Sequence, residues 1–494
     1  MHPTDRDGRD HPASATRRVA RNTIYLGLAD AGGKLLSFLF YLLAARHLGV
    51  AGFGVLSFAL AFVTMLNVFT DLGLGTIASR DIARDPAAVG RHAGAALCIK
   101  LIASVVVMGM IYVLANLIGY PAATIRIVSI CSLSVVANTV AAYYCNVYQG
   151  LERMELVALT RASQTLLMVT GAAVLAQGAP VVDRYALLYV TAAFLSLFVA
   201  VGLGIGRVSF KLEFDTARWA KLLRESVPLG LVVVFTMFYY WSGTTILAKV
   251  SGPQAVGNYS AAFRLVTGMT FASFAFSNAV FPLLSRLFVS DSHRSTRAFG
   301  IAARYMVMFV IPVGCFAMVF AGPLIRLLYG GGYQGAEGVL RVLVWWGVLA
   351  SVNSLVSNYL LSVNRTRVVV IQTCLSLGVA LLLNIALARA LSAMGIAVSI
   401  VTAEFAGLVL MLVQRQPVSI RAVAAALAPA VARVLAVTLA SVLVAVEVMW
   451  TGAVLAALVG FTIYGVLLVL VGGLNEADLR ALRPLIQRSD AHPA

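Results

Sequence analysis

Residues 93–118, AGAALCIKLIASVVVMGMIYVLANLI, carry one charged side chain, Lys100, in 26 consecutive positions. At about 1.5 Å per helical residue the run reaches roughly 39 Å, longer than the roughly 30 Å of hydrocarbon in a bilayer. Its apolar residues cover every side of the helix, which suits lipid or a large core and not a half-wetted surface. Outward from it the pattern repeats in both directions, and spans are expected at about 24–45, 53–78, 93–118, 123–148, 157–178, 185–206, 227–249, 258–284, 305–328, 339–361, 368–391, 394–413, 423–446 and 450–471. The 494 residues are 61% hydrophobic and 12% charged, with a mean hydropathy of +0.92. Soluble domains run at about 45–50% and about 25%. A membrane barrel would show ten-residue alternation instead of these continuous runs. The expected fold class is therefore all-α, a polytopic integral membrane protein of about 14 transmembrane helices.

The net charge of +17 does not point to nucleic acid once its distribution is read. Most Lys and Arg fall in alternate loops and in both tails, for example Arg17, Arg18, Arg80, Arg84, Arg153, Arg218, Lys221, Arg294, Arg365, Arg415 and Arg483. By the positive-inside rule this side is cytoplasmic, and so are both termini. The expected partner of this basic surface is the bilayer with its anionic headgroups. The N-terminal stretch is too polar for a cleaved signal, so the first span is expected to stay. Cys98, Cys131, Cys145, Cys315 and Cys374 lie in apolar runs without CxxC spacing and are read as small core hydrophobes, with neither metal nor disulfide.

Two connections, about 207–226 and 285–304, are long enough to hold an element. The first mixes Leu212, Phe214, Trp219 and Leu222 with Lys211, Arg218, Lys221 and Arg224, the composition of an amphipathic surface segment. An internal repeat marks the same place as a seam. Setting 45-ARHLGVAGFGVLSFALAF-62 over 248-AKVSGPQAVGNYSAAFRL-265 aligns Gly49 with Gly252, Gly54 with Gly257, Ser57 with Ser260 and Ala59 with Ala262. The expected organisation is a cytoplasmic tail (1–21), a first six-helix lobe (22–206), a linker (207–226), a second lobe (227–415), an appended helix pair (416–472) and a cytoplasmic tail (473–494). Repeats of this kind are characteristic of transporters.

A charge in mid-span costs about 2.5–3.5 kcal/mol on insertion scales, so such residues are candidates for function. The cations are Lys34, Lys100, Arg264 and Arg433, with Arg341 one turn into its span. Asp30 and Lys34, four apart on one helix face, either neutralise each other or present a cation to an anionic ligand. Lys100 and Arg341 either bind ligand or snorkel to the interface. Arg264 follows the repeated segment and is the favoured ligand-binding cation. Asp30, Asp71 and Glu404 are candidate proton or sodium carriers, or structural acids. Tyr239, Tyr240 and Trp241 either line a path for sugar rings or pack. No phosphate loop, HExxH or GxSxG is present, and no outward loop is large enough for a polymerase site, so no enzymatic activity and no bound cofactor are expected. Transport would draw on an ion gradient or on the substrate's own gradient.

Several segments resemble one family in their order and spacing: ARHLGVAGFGVLSFALAF (45–62), DLGLGTIASRDIAR (71–84), YQGLERM (148–154), RESVPLGL (224–231), GPQAVGNYSAAFRL (252–265), FPLLSRL (281–287) and AGPLIRLLYGGGY (321–333). Together they are similar to the polysaccharide exporters, or Wzx-type flippases, of the multidrug/oligosaccharidyl-lipid/polysaccharide (MOP) superfamily. The resemblance implies a MATE-like, V-shaped pair of six-helix lobes plus two C-terminal helices. It implies flipping of undecaprenyl-diphosphate-linked oligosaccharide, the repeat unit of O-antigen, capsule or exopolysaccharide, from the inner leaflet of a bacterial inner membrane to the outer one. Lys34 and Arg264 then match cavity cations that face the diphosphate, and a polysaccharide polymerase and chain-length or export proteins become candidate partners. The sequence departs from the pattern at Tyr239–Thr245, where many relatives carry an acid. The competing readings are an ion-coupled multidrug exporter of the same superfamily and a membrane-embedded polymerase.

Overall fold

A computed structural model describes residues 12–84, 89–206, 208, 216–413, 420–448 and 452–470, with side chains described from residue 31 onward except at 89–93, 217–218, 229, 292 and 420–427. The described residues contain no strand. The helices are α1 (Pro12–Asn67), α2 (Leu74–Arg84), α3 (Val89–Ile118), α4 (Ala122–Ser132), α5 (Ser134–Gly150), α6 (Met154–Leu175), α7 (Val182–Gly204), α8 (Thr216–Val250), α9 (Gly252–Ser290), α10 (Ser292–Val319), α11 (Ala321–Tyr329), α12 (Gln334–Ser362), α13 (Thr366–Val413), α14 (Ile420–Glu447) and α15 (Ala453–Leu470). Twelve described segments are long and apolar enough to cross a membrane. Two of them, Ala31–Thr70 and Thr366–Val413, turn inside at Gly49 (φ 67°) and Ser392 (φ 53°). Each of these two covers a pair of the expected spans, so the twelve segments account for all fourteen.

The chain forms two compact units, one ending at Met237 and one starting at Phe238. Their internal geometry repeats. Gly49 and Gly252, aligned by the sequence repeat, both take left-handed backbone angles (φ 67° and 78°) where one crossing turns into the next. Later in each unit the register changes. Glu152 and Asn364 sit at φ 57° and 59°. Around them the same bonds recur 212 positions apart: Arg153 N–H to Tyr148 O and Arg365 N–H to Leu360 O, both 2.8 Å, then Leu156 N–H to Arg153 O and Val368 N–H to Arg365 O, both 3.1 Å. The earlier offset is 203, and the nine-residue α11 lies between the two registers in the second unit.

The structure adds detail at four places. The segment expected as the second connection, about 285–304, is almost wholly helical, because Asp291 ends α9 and caps α10 by accepting from the His293 and Arg294 amides at 2.9 and 3.2 Å. Hydropathy finds only the stretch in lipid and misses helix that continues into water. For the same reason α8 begins at Thr216, inside the expected linker, whose residues 207 and 209–215 lie outside the described set. Similarly, α1 is helical from Pro12, inside the expected tail. Lastly, the span expected at 53–78 is broken. A 3-10 turn at Val68–Thr70 leads to Leu72 (φ 40°) and Gly73 (φ 84°) before α2 begins.

Candidate functional site

In the first unit the break places Asp71 beside Lys100 of α3, and the two form an ion pair. Lys100 is 1% exposed, and its ammonium lies 5.3 Å from the centre of the Tyr143 ring. The Asp71 carboxylate also accepts the Gly75 amide at 3.1 Å, so it takes the place of a carbonyl in the interrupted helix ladder. Asn146 of α5 fits against Gly75 so closely that a Cβ there would stand 1.9 Å from its side-chain nitrogen. Above the break, the Thr139 hydroxyl donates to Thr70 at 3.0 Å. Two residues weighed separately in the sequence, a ligand cation and a candidate carrier acid, are therefore partners. Removing Asp71 would leave the buried Lys100 ammonium without this partner, a change that costs several kcal/mol for a buried charge.

In the second unit a larger polar and aromatic cluster joins α8, α9, α12 and α13. Glu404, on α13 and 7% exposed, accepts from the Tyr239 hydroxyl and, at 2.8 Å, from the Asn353 amide. Asn353 also reaches the Glu404 carbonyl at 2.9 Å. The Trp346 indole N–H donates to the Tyr239 oxygen at 3.2 Å. Tyr240 stands edge-on to Tyr239 and to Trp346, at 5.3 and 6.0 Å. Phe263 stacks on Trp346 at 5.2 Å and meets Trp241 at 6.1 Å. The Arg264 guanidinium lies 5.7 Å from the centre of the Trp241 ring. A cation on an aromatic face is worth about 0.5–2 kcal/mol.

The expected residues Arg264, Tyr240, Trp241 and Glu404 thus come together, and so do Asp71 and Lys100. Lys34 and Arg341 are exposed on α1 and α12. The Asp30 side chain lies outside the described residues. Asn353, Trp346 and Tyr143 were not singled out in the sequence. Neutral polar and aromatic residues carry no mid-span charge cost, and only Asn353, an amide inside the apolar run of α12, left a usable signal. Among the described residues no group of three or more His, Cys, Asp or Glu could hold a metal ion.

The family description "polysaccharide biosynthesis protein" matches residues 19–288. The chain belongs to this family. As the resemblance read from the sequence implied, the polysaccharide biosynthesis protein family places it among the MOP superfamily transporters. A second description, for lipid II flippase MurJ, matches residues 244–469. The chain is 23% identical over 384 residues to a probable low-salt glycan biosynthesis flippase, Agl15, of Haloferax volcanii, covering 77% of this chain and 80% of that one. It is 22% identical over 342 residues to a putative O-antigen transporter of Escherichia coli, covering 66% and 79%. Among solved structures, its fold is similar to lipid II flippase MurJ in an inward closed conformation, with TM-score 0.76, 14% identity and coverage of 91% and 99%. It is also similar to an inward-facing multidrug resistance MATE transporter, with TM-score 0.60, 18% identity and coverage of 77% and 93%. The protein is a multi-pass membrane transporter.

Proposed function

We propose that this transporter flips undecaprenyl-diphosphate-linked oligosaccharide, the repeat unit of O-antigen, capsule or exopolysaccharide, from the cytoplasmic to the periplasmic leaflet of a bacterial inner membrane. Both termini are cytoplasmic in this reading, and the mechanism is alternating access. The observation that carries it is Arg264 on the face of Trp241: a fixed cation and an aromatic ring side by side, one suited to phosphate and the other to a sugar ring. The names of the two relatives, a glycan flippase and an O-antigen transporter, support the same substrate class. Lys34 is the second headgroup cation in this proposal, with Arg341 and Tyr240 as further contacts. Lys100 drops out as a direct ligand because Asp71 already occupies it.

Glu404 is the proposed ion-coupling group, for a proton or sodium. It is a buried acid whose hydrogen-bond donors, Tyr239 and Asn353 among them, are neutral, so among the described residues no paired cation opposes an added positive charge there. The multidrug reading shares the fold, yet cationic drugs call for acids, and the in-span charge of this sequence is net cationic.

Deleting the gene in its native host should abolish the surface polysaccharide and build up the lipid-linked unit in the cytoplasmic leaflet. The intact gene should restore both, and Arg264→Ala should not. Normal polysaccharide after deletion would remove the proposal.

A further inference from the structure

The second unit holds its candidate headgroup cation and its candidate coupling acid in one unbroken line of contacts. From Glu404 the line runs through the Tyr239 hydroxyl to the Trp346 N–H, from the indole ring to Phe263, and from Phe263 to Trp241 and Arg264. Phe263 and Arg264 are adjacent on α9. The hydrogen-bonded part of the line has two arrangements available. A hydroxyl has one hydrogen, and Tyr239 spends it on Glu404 while its oxygen receives the indole N–H. When a proton or cation takes the carboxylate oxygen that accepts from Tyr239, the Tyr239 O–H loses that acceptor and re-aims. The buried Asn353 Oδ1, which has no donor among the described residues, offers a place for the new hydrogen bond. Trp346 then loses or shifts this acceptor, because its N–H donates to the Tyr239 oxygen at 3.2 Å. The packed rings between Trp346 and Arg264 leave little free volume in which to absorb such a shift.

We propose that Trp346 is the positioning residue that couples the state of Glu404 to the placement of Arg264. Its N–H reads the acid through Tyr239 and its ring passes the change to Phe263. The idea rests on the proposed headgroup role of Arg264 for its meaning in transport, while the coupling itself is a property of the protein alone. Coupling between sites requires an element with two discrete arrangements that both sites bias, and the Tyr239 hydroxyl with the Trp346 indole is that element.

The test uses the full-length protein in lipid nanodiscs with fluorine-labelled tryptophans, the Trp241 resonance being assigned by Trp241→Phe. In the intact background Glu404→Gln is expected to shift the Trp241 resonance, although the hydrogen bonds of Glu404 run to Tyr239 and Asn353. In a Trp346→Phe background, which keeps a ring against Phe263 and removes the N–H, Glu404→Gln is expected to leave Trp241 unmoved. A Trp241 resonance indifferent to Glu404→Gln, or a shift that persists undiminished in Trp346→Phe, overturns the coupling. If Trp346→Phe does not fold, Tyr239→Phe breaks the same link at its other end, and the same pair of outcomes decides. A parallel measurement of undecaprenyl diphosphate binding separates the two claims. Unchanged affinity in Arg264→Gln removes the headgroup reading and leaves the resonance result standing.

Discussion

Lys100 and Asp71 show what a buried charge asks of its neighbours. With Lys100 2% exposed at its side chain and Asp71 42%, removing the acid strands the deeper partner. Asp71→Ala should lower stability by about 3 kcal/mol, the low end for a broken buried pair because Asp71 is partly solvated, and Asp71→Leu combined with Lys100→Met should recover most of that loss. Thermal unfolding of the purified variants reads both, and a double variant less stable than Asp71→Ala alone would refute the pairing argument. At the two turns aligned by the repeat, a Cβ on Gly49 or Gly252 would meet nothing within 4 Å, so the backbone angle alone sets the cost. Alanine at either position should cost about 1–2 kcal/mol, and asparagine less. In the sequence these two glycines stood out because they aligned. The Lys100 pair did not, since its members lie 29 positions apart and each has a plausible role alone.

At the scale of elements, hydropathy located the crossings and missed what interrupts or extends them. A residue-averaged signal responds to lipid-facing surface, so α9 and α10 read as ending at the membrane although Asp291 caps a helix that goes on beyond it. The break at 71–73 depends on contacts from far along the chain. A Cβ on Gly230, at the start of the crossing in α8, would stand 2.4 Å from the Leu72 carbonyl carbon, and a backbone atom cannot swing aside. Gly230→Ala should therefore displace the break and cost more stability than Gly268→Ala, where a Cβ meets nothing within 4 Å. The exposed Arg80–Glu225 pair at 3.5 Å should behave oppositely. Burial is absent there and water screens both groups, so Glu225→Gln is expected to change the midpoint within error. A large loss from Glu225→Gln would mean that this surface is covered in the membrane.

For the whole molecule, fold and transport class were legible because both follow from composition and from repeat order, which need no contact map. The two registers, 203 before α11 and 212 after it, recover in structure a repeat that the sequence displayed over only eighteen positions, 45–62 against 248–265. The candidate site was legible only in part. Arg264, Trp241 and Glu404 were visible as charges or aromatics in spans, whereas the neutral residues that join them were not. The account of the whole transporter is tested most directly by flipping of a fluorescent undecaprenyl-diphosphate oligosaccharide in proteoliposomes, with and without an imposed proton or sodium gradient. Flipping by the intact protein that falls at least tenfold in Arg264→Ala and Lys34→Ala, a loss of about 1.4 kcal/mol or more in transition-state stabilisation, is the predicted result. No flipping by well-folded protein across several glycans and both gradients would contradict the account and favour the multidrug-exporter branch of the superfamily.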